Sequence, residues 1–416
     1  MNIWLIYPYG NIPGEGKRPD RPHMVADALV AAGHKVTWWA SCFDHGSKKF
    51  RSRVWKDINV SDDFTIRLVP TTGYKRHISY KRIAHEKIYS KQIYAYANKV
   101  ISPDLIILSE PALFRGKPII KLVEEKNCLL MLDMLDKWPE LFNIILPKPF
   151  KPFGKLLFKP WYDARRKLFQ KAHGIITVSN SYMDVVQGII PKFPVENSEI
   201  VYFGTDVVKQ RAEMKASPIL PSPLQNIIKE KGELWAIYAS TLGSNYDLDT
   251  LLDAAKLLKD REVNVKILIA GIGPLQDYVV SFINENKLTQ AVYIGNPSSE
   301  MLSSIFSYCD IGLSMYTKDS SVTMPVKAFH YFAAGLPIIN SLVGDLSSLL
   351  LSYNAGLNYE AEDSESLVNA LHLLASDQKK REIMAKNSYD LASDFDTKIQ
   401  YEKVAELVER VARKTP

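Results

Sequence analysis

Short apolar, β-rich runs alternate with helical patterns along almost all of the 416 residues, and they do so in two successive series. Near-continuous apolar runs suit strands buried on both faces, an arrangement that parallel sheets need and that intervening helices supply. The first series is Ile3 to Tyr7, Lys35 to Ala40, Asp104 to Ser109, Cys128 to Leu132, Gly174 to Val178 and Glu199 to Phe203. The second is Leu234 to Ala239, Val265 to Ala270, Ala291 to Ile294, Ile311 to Ser314 and Pro337 to Asn340, with helices such as Asp249 to Leu258 and Glu300 to Tyr308 between them. The fold expected is α/β: two Rossmann-like, doubly wound domains facing each other across a cleft, residues 1–205 and 206–390, followed by a charge-rich helix within 391–416. A linker is expected near Thr205 to Pro223, where Gly204, Pro218, Pro221 and Pro223 interrupt the pattern. Such an architecture names no function by itself.

Composition narrows the setting. Met1-Asn-Ile-Trp-Leu-Ile-Tyr-Pro8 runs straight into a strand, without the charged segment and small-residue cleavage site of a secretory signal. No apolar run approaches the roughly 20 residues of a bilayer-spanning helix. Cys42, Cys128 and Cys309 are odd in number and unevenly spaced, which argues against a disulfide or zinc framework and for a reduced, cytoplasmic protein.

Chemistry concentrates in Pro325-Val-Lys-Ala-Phe-His-Tyr-Phe-Ala-Ala-Gly-Leu-Pro337. Proline suits the first turn of a helix, while Gly335 can adopt the left-handed conformation that ends one, with Pro337 forbidding its continuation. The helix is expected from about Pro325 to Ala334. Lys327 and His330 then share one stripe, and Lys327 adds its charge to the positive end of the helix dipole, which suits a ligand phosphate. A buried amphipathic helix with a satisfied histidine accounts for the same residues.

This segment resembles the Pro-x-Lys-x-x-Glu-Tyr-x-Ala-x-Gly-x-Pro signature of retaining nucleotide-sugar glycosyltransferases of the GT-B fold, family 4. The resemblance implies a nucleotide diphosphate sugar, with UDP the expected carrier, as donor, hexosyl transfer with retention and no obligatory metal or other cofactor. It implies that Lys327 stabilises the departing diphosphate and that His330, standing where the family has glutamate, meets the donor ribose. An imidazole cannot grip two vicinal hydroxyls as a carboxylate does. The earlier of the family's paired glutamates falls on Val322. In this fold the last helix is expected to cross back and brace the N-terminal domain, and domain closure to exclude water.

Further matches extend the resemblance over most of the chain. Tyr9-Gly-Asn-Ile-Pro-Gly-Glu-Gly-Lys-Arg18, with Gly14 and Gly16, occupies the position of the family's flexible loop near donor phosphates and acceptor, although a plain surface loop explains the residues as well. Ser240, Thr241, Gly243 and Asn245 hold the matching loop of the second domain, without the arginine and lysine many relatives place there. Gly271-Ile-Gly-Pro274 resembles a structural turn. In the first domain Lys17, His45, Tyr74 and Arg82 are expected at the acceptor, and Asp136, in Asp136-Lys-Trp-Pro139, is expected to take the acceptor proton or contact the transferred sugar. A helix cap is the plain reading of Asp136, and a surface or core residue that of His45.

Between Lys137 and Lys171, nine Lys or Arg stand against two acids, interleaved with eight aromatics and five prolines, in a chain of net charge +6. Basic residues mixed with rings suit the inner face of an anionic membrane. A solvated loop and a nucleic-acid surface are the competing readings, though no nucleic-acid module is recognisable. The expectation is a peripheral inner-membrane enzyme of surface polysaccharide assembly that acts on a lipid-linked or glycan acceptor. A nucleotide-sugar epimerase and a non-catalytic sugar-nucleotide-binding scaffold are the alternatives.

Overall fold

The computed structural model describes residues 1–76, 78–216, 224–227 and 229–414. It divides into two compact units, Met1–Tyr202 with Lys398–Pro416 and Phe203–Thr397.

The first unit holds one sheet of β1 (Asn2–Ile6), β2 (Lys35–Ser41), β3 (Lys56–Ser61), β4 (Phe64–Val69), β5 (Leu105–Glu110), β6 (Leu129–Met134), β7 (Gly174–Thr177) and β8 (Ser198–Ile200). Its order is β3-β4-β2-β1-β5-β6-β7-β8, parallel except for β3 against β4. The helices are α1 (Arg21–Ala31), α2 (Tyr80–Tyr96), α3 (Gly116–Lys126), α4 (Gly154–Leu157), α5 (Lys159–Phe169) and α6 (Asn180–Ile189). Along β1, Ile3, Leu5 and Tyr7 pack on one face while Trp4 and Ile6 pack on the other, so both faces are core. The helix Thr397–Lys414 lays Tyr401, Val404, Val408 and Val411 along one stripe into the same core as Ile3 and Leu5, an i, i+3, i+4 pattern that only a helix can bury.

The hairpin of β3 and β4 has no counterpart among the expected strands. β3 is an exposed, polar edge with Lys56 and Asp57, the composition that protects an edge from further pairing, and it hides the period-2 burial of Phe64, Ile66 and Leu68 behind it.

The second unit is a parallel sheet of β9 (Leu234–Ala239), β10 (Val265–Ala270), β11 (Ala291–Tyr293), β12 (Ile311–Ser314), β13 (Ile338–Asn340) and β14 (Gly356–Asn358), in the order β11-β10-β9-β12-β13-β14. Its helices are α7 (Val207–Lys215), α8 (Leu248–Asp260), α9 (Gln276–Glu285), α10 (Ser299–Phe306), α11 (Val326–Ala334), α12 (Asp345–Tyr353), α13 (Ser364–Ser376) and α14 (Gln378–Leu391). Strand order reverses at β9, which is flanked by β10 and β12.

Two sequence expectations need correction. The expected linker is helical over α7, capped by the Asp206 side chain on the Lys209 amide; Pro218, Pro221 and Pro223 lie outside the described residues. Residues up to Thr397 stay with the second unit, beyond the expected boundary at 390, because Phe395 packs on Phe329 and Phe332 and the Thr397 amide donates to the Thr205 carbonyl.

Candidate functional site

In an open α/β sheet, ligands bind outside the carboxyl ends of the strands where the order reverses. In the second unit that place is the divergence of β9 and β12, which pair only at Ala236↔Ile311 and Ile237↔Gly312. The Tyr331 hydroxyl fills the opening: it accepts the Ala239 amide at 3.1 Å and lies 3.1 Å from the Ile237 carbonyl and 3.3 Å from that of Leu313. Gly312 permits this, since a Cβ there would lie 2.6 Å from the Tyr331 ring.

α11 begins immediately after Pro325 and ends at Gly335, whose φ of 70° is left-handed. Lys327 lies in its first turn, 9% exposed, with Nζ 4.5 Å from the ring centre of Tyr316, 4.7 Å from Tyr238 and 5.0 Å from Tyr246. Among the described residues its ammonium has no hydrogen-bond partner. Burial pushes the Lys327 amine down to about 7, while the three ring faces act in the opposite direction by favouring the cation. The cage is itself held: the Tyr238 hydroxyl donates to the Thr241 carbonyl at 2.9 Å, and Ser341 Oγ clasps the Tyr316 amide and carbonyl at 2.8 and 2.9 Å.

The expected donor loop runs from β9 to α8. Ser240 and Gly243 are half-buried on it, and Thr241 and Asn245 are exposed. Gly271 and Gly273 are required beneath it, because a Cβ would lie 1.8 Å from the Ser240 carbonyl oxygen or 2.2 Å from that of Leu242. His330 sits one turn beyond Lys327. Its Nδ1 lies 2.7 Å from Gln210 Oε1 and 3.1 Å from Thr205 Oγ1, while Gln210 Nε2 donates to the His330 carbonyl at 2.7 Å. That last bond fixes the amide orientation, so Nδ1 donates to Gln210 and this edge of the ring is committed within the unit. Arg211 Nε bonds the Ala333 carbonyl at 3.1 Å, so α7 satisfies carbonyls left open at the end of α11.

In the first unit the strand order reverses at β1, between β2 and β5. There the structure gathers His45, Tyr74 and Arg82 around Tyr9: His45 and Tyr74 share a hydrogen bond, the His45 ring lies 4.7 Å from that of Tyr9, and the Arg82 guanidinium lies 5.8 Å from the Tyr9 ring and 4.9 Å from that of Trp138. Tyr9 is anchored below by Glu86, which also pairs with Arg115. Lys17 stands beside this group, bonded to Asp44 at 2.8 Å. Burial alone would raise the Asp44 carboxyl, but bonds from Lys17 and Ser47 hold it below the usual carboxylate range. Gly14 and Gly16 take left-handed φ of 87° and 66° on an exposed loop with open space around them.

Asp136 caps no helix, since Pro139 precedes the following 3-10 turn Glu140–Ile145. Its side chain is open to solvent yet surrounded by enough protein to be desolvated, which raises the carboxyl, with Arg82 pulling the other way. Sequence reading missed the three tyrosines around Lys327, Tyr331 between the strands, and Tyr9; only Tyr331 carried a signal, as a position of the Pro325–Pro337 signature.

These two doubly wound units define a GT-B fold. Residues 224–391 match the family model described as glycosyl transferases group 1. The chitobiosyldiphosphodolichol beta-mannosyltransferase of Candida albicans is 23% identical over 300 residues, which cover 68% of this chain and 63% of the relative's length. The chain thus spans less than two thirds of that relative. Among solved structures, sucrose-phosphate synthase from Thermosynechococcus elongatus aligns with a TM-score of 0.70 at 15% identity, over 98% of both chains. The Anabaena protein HepE in complex with UDP and glucose aligns with 0.63 at 17% identity, over 98% of this chain and 99% of that one. Among the described residues no helix is long and apolar enough to cross a membrane, and no group of three His, Cys, Asp or Glu is placed to hold a metal ion.

Proposed function

We propose that this chain is a glycosyltransferase that moves a sugar from a nucleotide diphosphate sugar to a lipid-linked acceptor, as a step of surface polysaccharide assembly. The observation that carries the reading is the buried Lys327 ammonium, without a hydrogen-bond partner among the described residues, where β9 and β12 diverge. A diphosphate would supply the counter-charge that the tyrosine cage lacks, and the lysine would stabilise charge developing on the leaving group. Ser240, Thr241, Gly243 and Asn245 would add hydroxyl, amide and backbone donors, and His330 would meet the ribose with the ring edge not bonded to Gln210. The Anabaena structure's UDP supports a UDP-sugar as donor; the relative named for a diphosphodolichol substrate supports a lipid diphosphate acceptor.

On the acceptor side, His45, Tyr74, Arg82 and Lys17 would orient the incoming hydroxyl in the first unit. The sequence resemblance favours retention, guided by the leaving phosphate. A second reading has its own observation: the raised carboxyl of Asp136 can take a proton from an acceptor hydroxyl, and the relative's name specifies a beta-mannosyl product. In that case Asp136 acts as the base of an inverting transfer. Incubation with labelled nucleotide sugars and a polyprenyl diphosphate-linked saccharide, with product configuration read by NMR, separates them. An axial or equatorial product opposite to the donor indicates inversion and should depend on Asp136, its asparagine variant losing about 100-fold or more in rate. A product of unchanged configuration assigns retention, and no transfer to any lipid-linked acceptor contradicts the proposal.

Membrane association rests on the Lys137–Lys171 stretch. Phe150, Phe153, Leu156 and Leu157 are 53%, 57%, 70% and 52% exposed, beside exposed Lys148, Lys151, Lys155 and Lys159. Each cation near an anionic surface contributes about 1 kcal/mol, so replacing all four by glutamine should weaken binding to anionic vesicles by on the order of 100-fold or more in sedimentation assays. Unchanged sedimentation would contradict it.

A further inference from the structure

Two recesses of the first unit meet at Ser79. One, of about 220 Å³, is mostly apolar: Trp138, Phe142, Phe114 and Trp161 form its walls with Leu141, Ile78 and Ile83, and its polar lining is Ser79, Arg82 and Glu86, the last already bonded to Tyr9 and Arg115. Its rings are locked together, Phe142 lying 4.9 Å from Trp161 and 5.0 Å from Trp138, and Arg165 braces the wall by bonding both Glu140 and the Trp138 carbonyl. The other recess, of about 630 Å³, is lined by Lys48, Arg53, Lys75, Arg76 and Lys81 over Phe43, Phe50 and Tyr74, and among the described residues no carboxylate lines it. Positive charge there is crowded: burial, and then the neighbouring Arg82 charge, push the Lys48 amine below its ordinary value. Arg82 lines the apolar chamber, and Ser79 lines both recesses.

A cationic basin joined to a small, mostly apolar chamber is complementary to one kind of molecule, an amphiphile with a phosphorylated head and a branched hydrocarbon chain. We infer that these recesses form a binding site for the isoprenyl diphosphate portion of the acceptor, the diphosphate held by Lys48, Arg53, Lys75, Arg76 and Lys81 and the first isoprene segment held against Trp138, Phe142 and Trp161. The inference rests on the lipid-linked acceptor proposed above and assigns its carrier a place in the protein rather than in the bilayer. The chamber takes part of its wall from the same Lys137–Lys171 stretch that carries the exposed apolar side chains, so a carrier drawn from a membrane would enter beside the anchoring surface.

Soluble farnesyl diphosphate, inorganic pyrophosphate and farnesol test the site, with fluorescence of Trp138 and Trp161 as the readout and Lys327→Met as the background so that the second unit does not compete for diphosphate. Farnesyl diphosphate should bind on the order of tenfold or more tighter than pyrophosphate, the effect of burying two or more methylene groups. Ile83→Gln, which adds polarity without charge, should abolish that advantage and leave pyrophosphate affinity unchanged; Ile78→Gln, at a position 72% exposed and so harmless to folding, should act in the same direction. Lys75→Glu, Arg76→Glu and Lys81→Glu together should weaken both diphosphates and spare farnesol. Equal affinity for pyrophosphate and farnesyl diphosphate, or farnesyl diphosphate binding that neither set of variants changes, would overturn the site. Binding to anionic vesicles without binding of soluble farnesyl diphosphate would overturn it in favour of a bilayer-surface role. A parallel UDP titration of the unsubstituted protein keeps the two readings apart: UDP binding with no isoprenyl binding removes the site alone, while loss of both removes the transferase reading with it.

Discussion

Lys327→Met should make the nucleotide-free protein more stable, raising its melting temperature by a few degrees, and at the same time abolish nucleotide diphosphate binding. The reason is the imbalance around this side chain. Its ammonium is buried without a hydrogen-bond partner among the described residues, and the effective penalty for burying an ion is several kcal/mol. The faces of Tyr238, Tyr246 and Tyr316 at 4.5 to 5.0 Å return part of it, about 0.5–2 kcal/mol each. Methionine has similar length and no charge, so a net gain of about 1 kcal/mol, or about 2–4 °C for a unit of this size, is expected. The pH dependence fixes the sign. The folded value of about 7 lies below that of an unfolded lysine, so between the two values the unfolded chain binds more protons and stability rises with pH. The advantage of Lys327→Met should therefore be largest below pH 7 and fade above about pH 10. Scanning calorimetry at several pH values decides it, and a variant less stable than the parent at pH 6 would show that the lysine is structural rather than poised for a ligand.

The largest loss of stability is expected from Asp133→Asn. Asp133 is fully buried and accepts two parallel bonds from Arg21, at 2.7 and 2.8 Å, and another from the Tyr7 hydroxyl. Arg21 continues to the Val201 carbonyl at 2.8 Å, and its guanidinium lies 5.6 Å from the Tyr401 ring. One carboxylate thus joins the end of β1, the start of α1, β6, the chain after β8 and the C-terminal helix. Burial works against the Arg21 charge, but Asp133 outweighs it and holds the guanidinium firmly protonated. Removing the negative partner leaves an uncompensated buried cation, at a cost of about 3–5 kcal/mol, which corresponds to a fall of roughly 10 °C in the melting of this unit. A double variant, Arg21→Met with Asp133→Leu, removes both charges and should recover much of the loss, because an apolar replacement of a buried pair is often neutral. Asp133→Asn melting within 2 °C of the parent would contradict the assignment.

Much of this was legible from the amino acids, for reasons that differ between elements. β5, β9 and β10 are continuous apolar runs because helices cover both of their faces, and their positions followed directly from the sequence. The helix from Val326 to Ala334 was legible from its boundaries, since Pro325 and Gly335 act through local backbone geometry. α7 was not. Val207 to Lys215 has little apolar periodicity; its one local signal is the Asp206 cap, and the bonds that dock it, Gln210 on His330 and Arg211 on the Ala333 carbonyl, exist only in the fold. The lysine cage was hidden for a similar reason. Tyr238, Tyr246 and Tyr316 come from the end of β9, the following loop and the segment after β12, and no sequence spacing joins them; only the strand order does. His330 stands out in the sequence as a departure from the family signature, but its partners lie on α7, more than a hundred residues away and on a segment with little helical periodicity.

The divergence of β9 and β12 is proposed to be a nucleotide diphosphate site with Lys327 as its cation. Calorimetric titration of UDP, GDP and ADP into the purified protein, from pH 6 to pH 9, tests it most directly. If the ammonium grips the diphosphate, one nucleotide should bind with an affinity that is level below about pH 7, where Lys327 is charged, and falls above it by up to tenfold per pH unit. Lys327→Met should remove the binding and its pH dependence together. Binding that is independent of pH and equal in Lys327→Met, or no binding of any of the three nucleotides, would contradict the account.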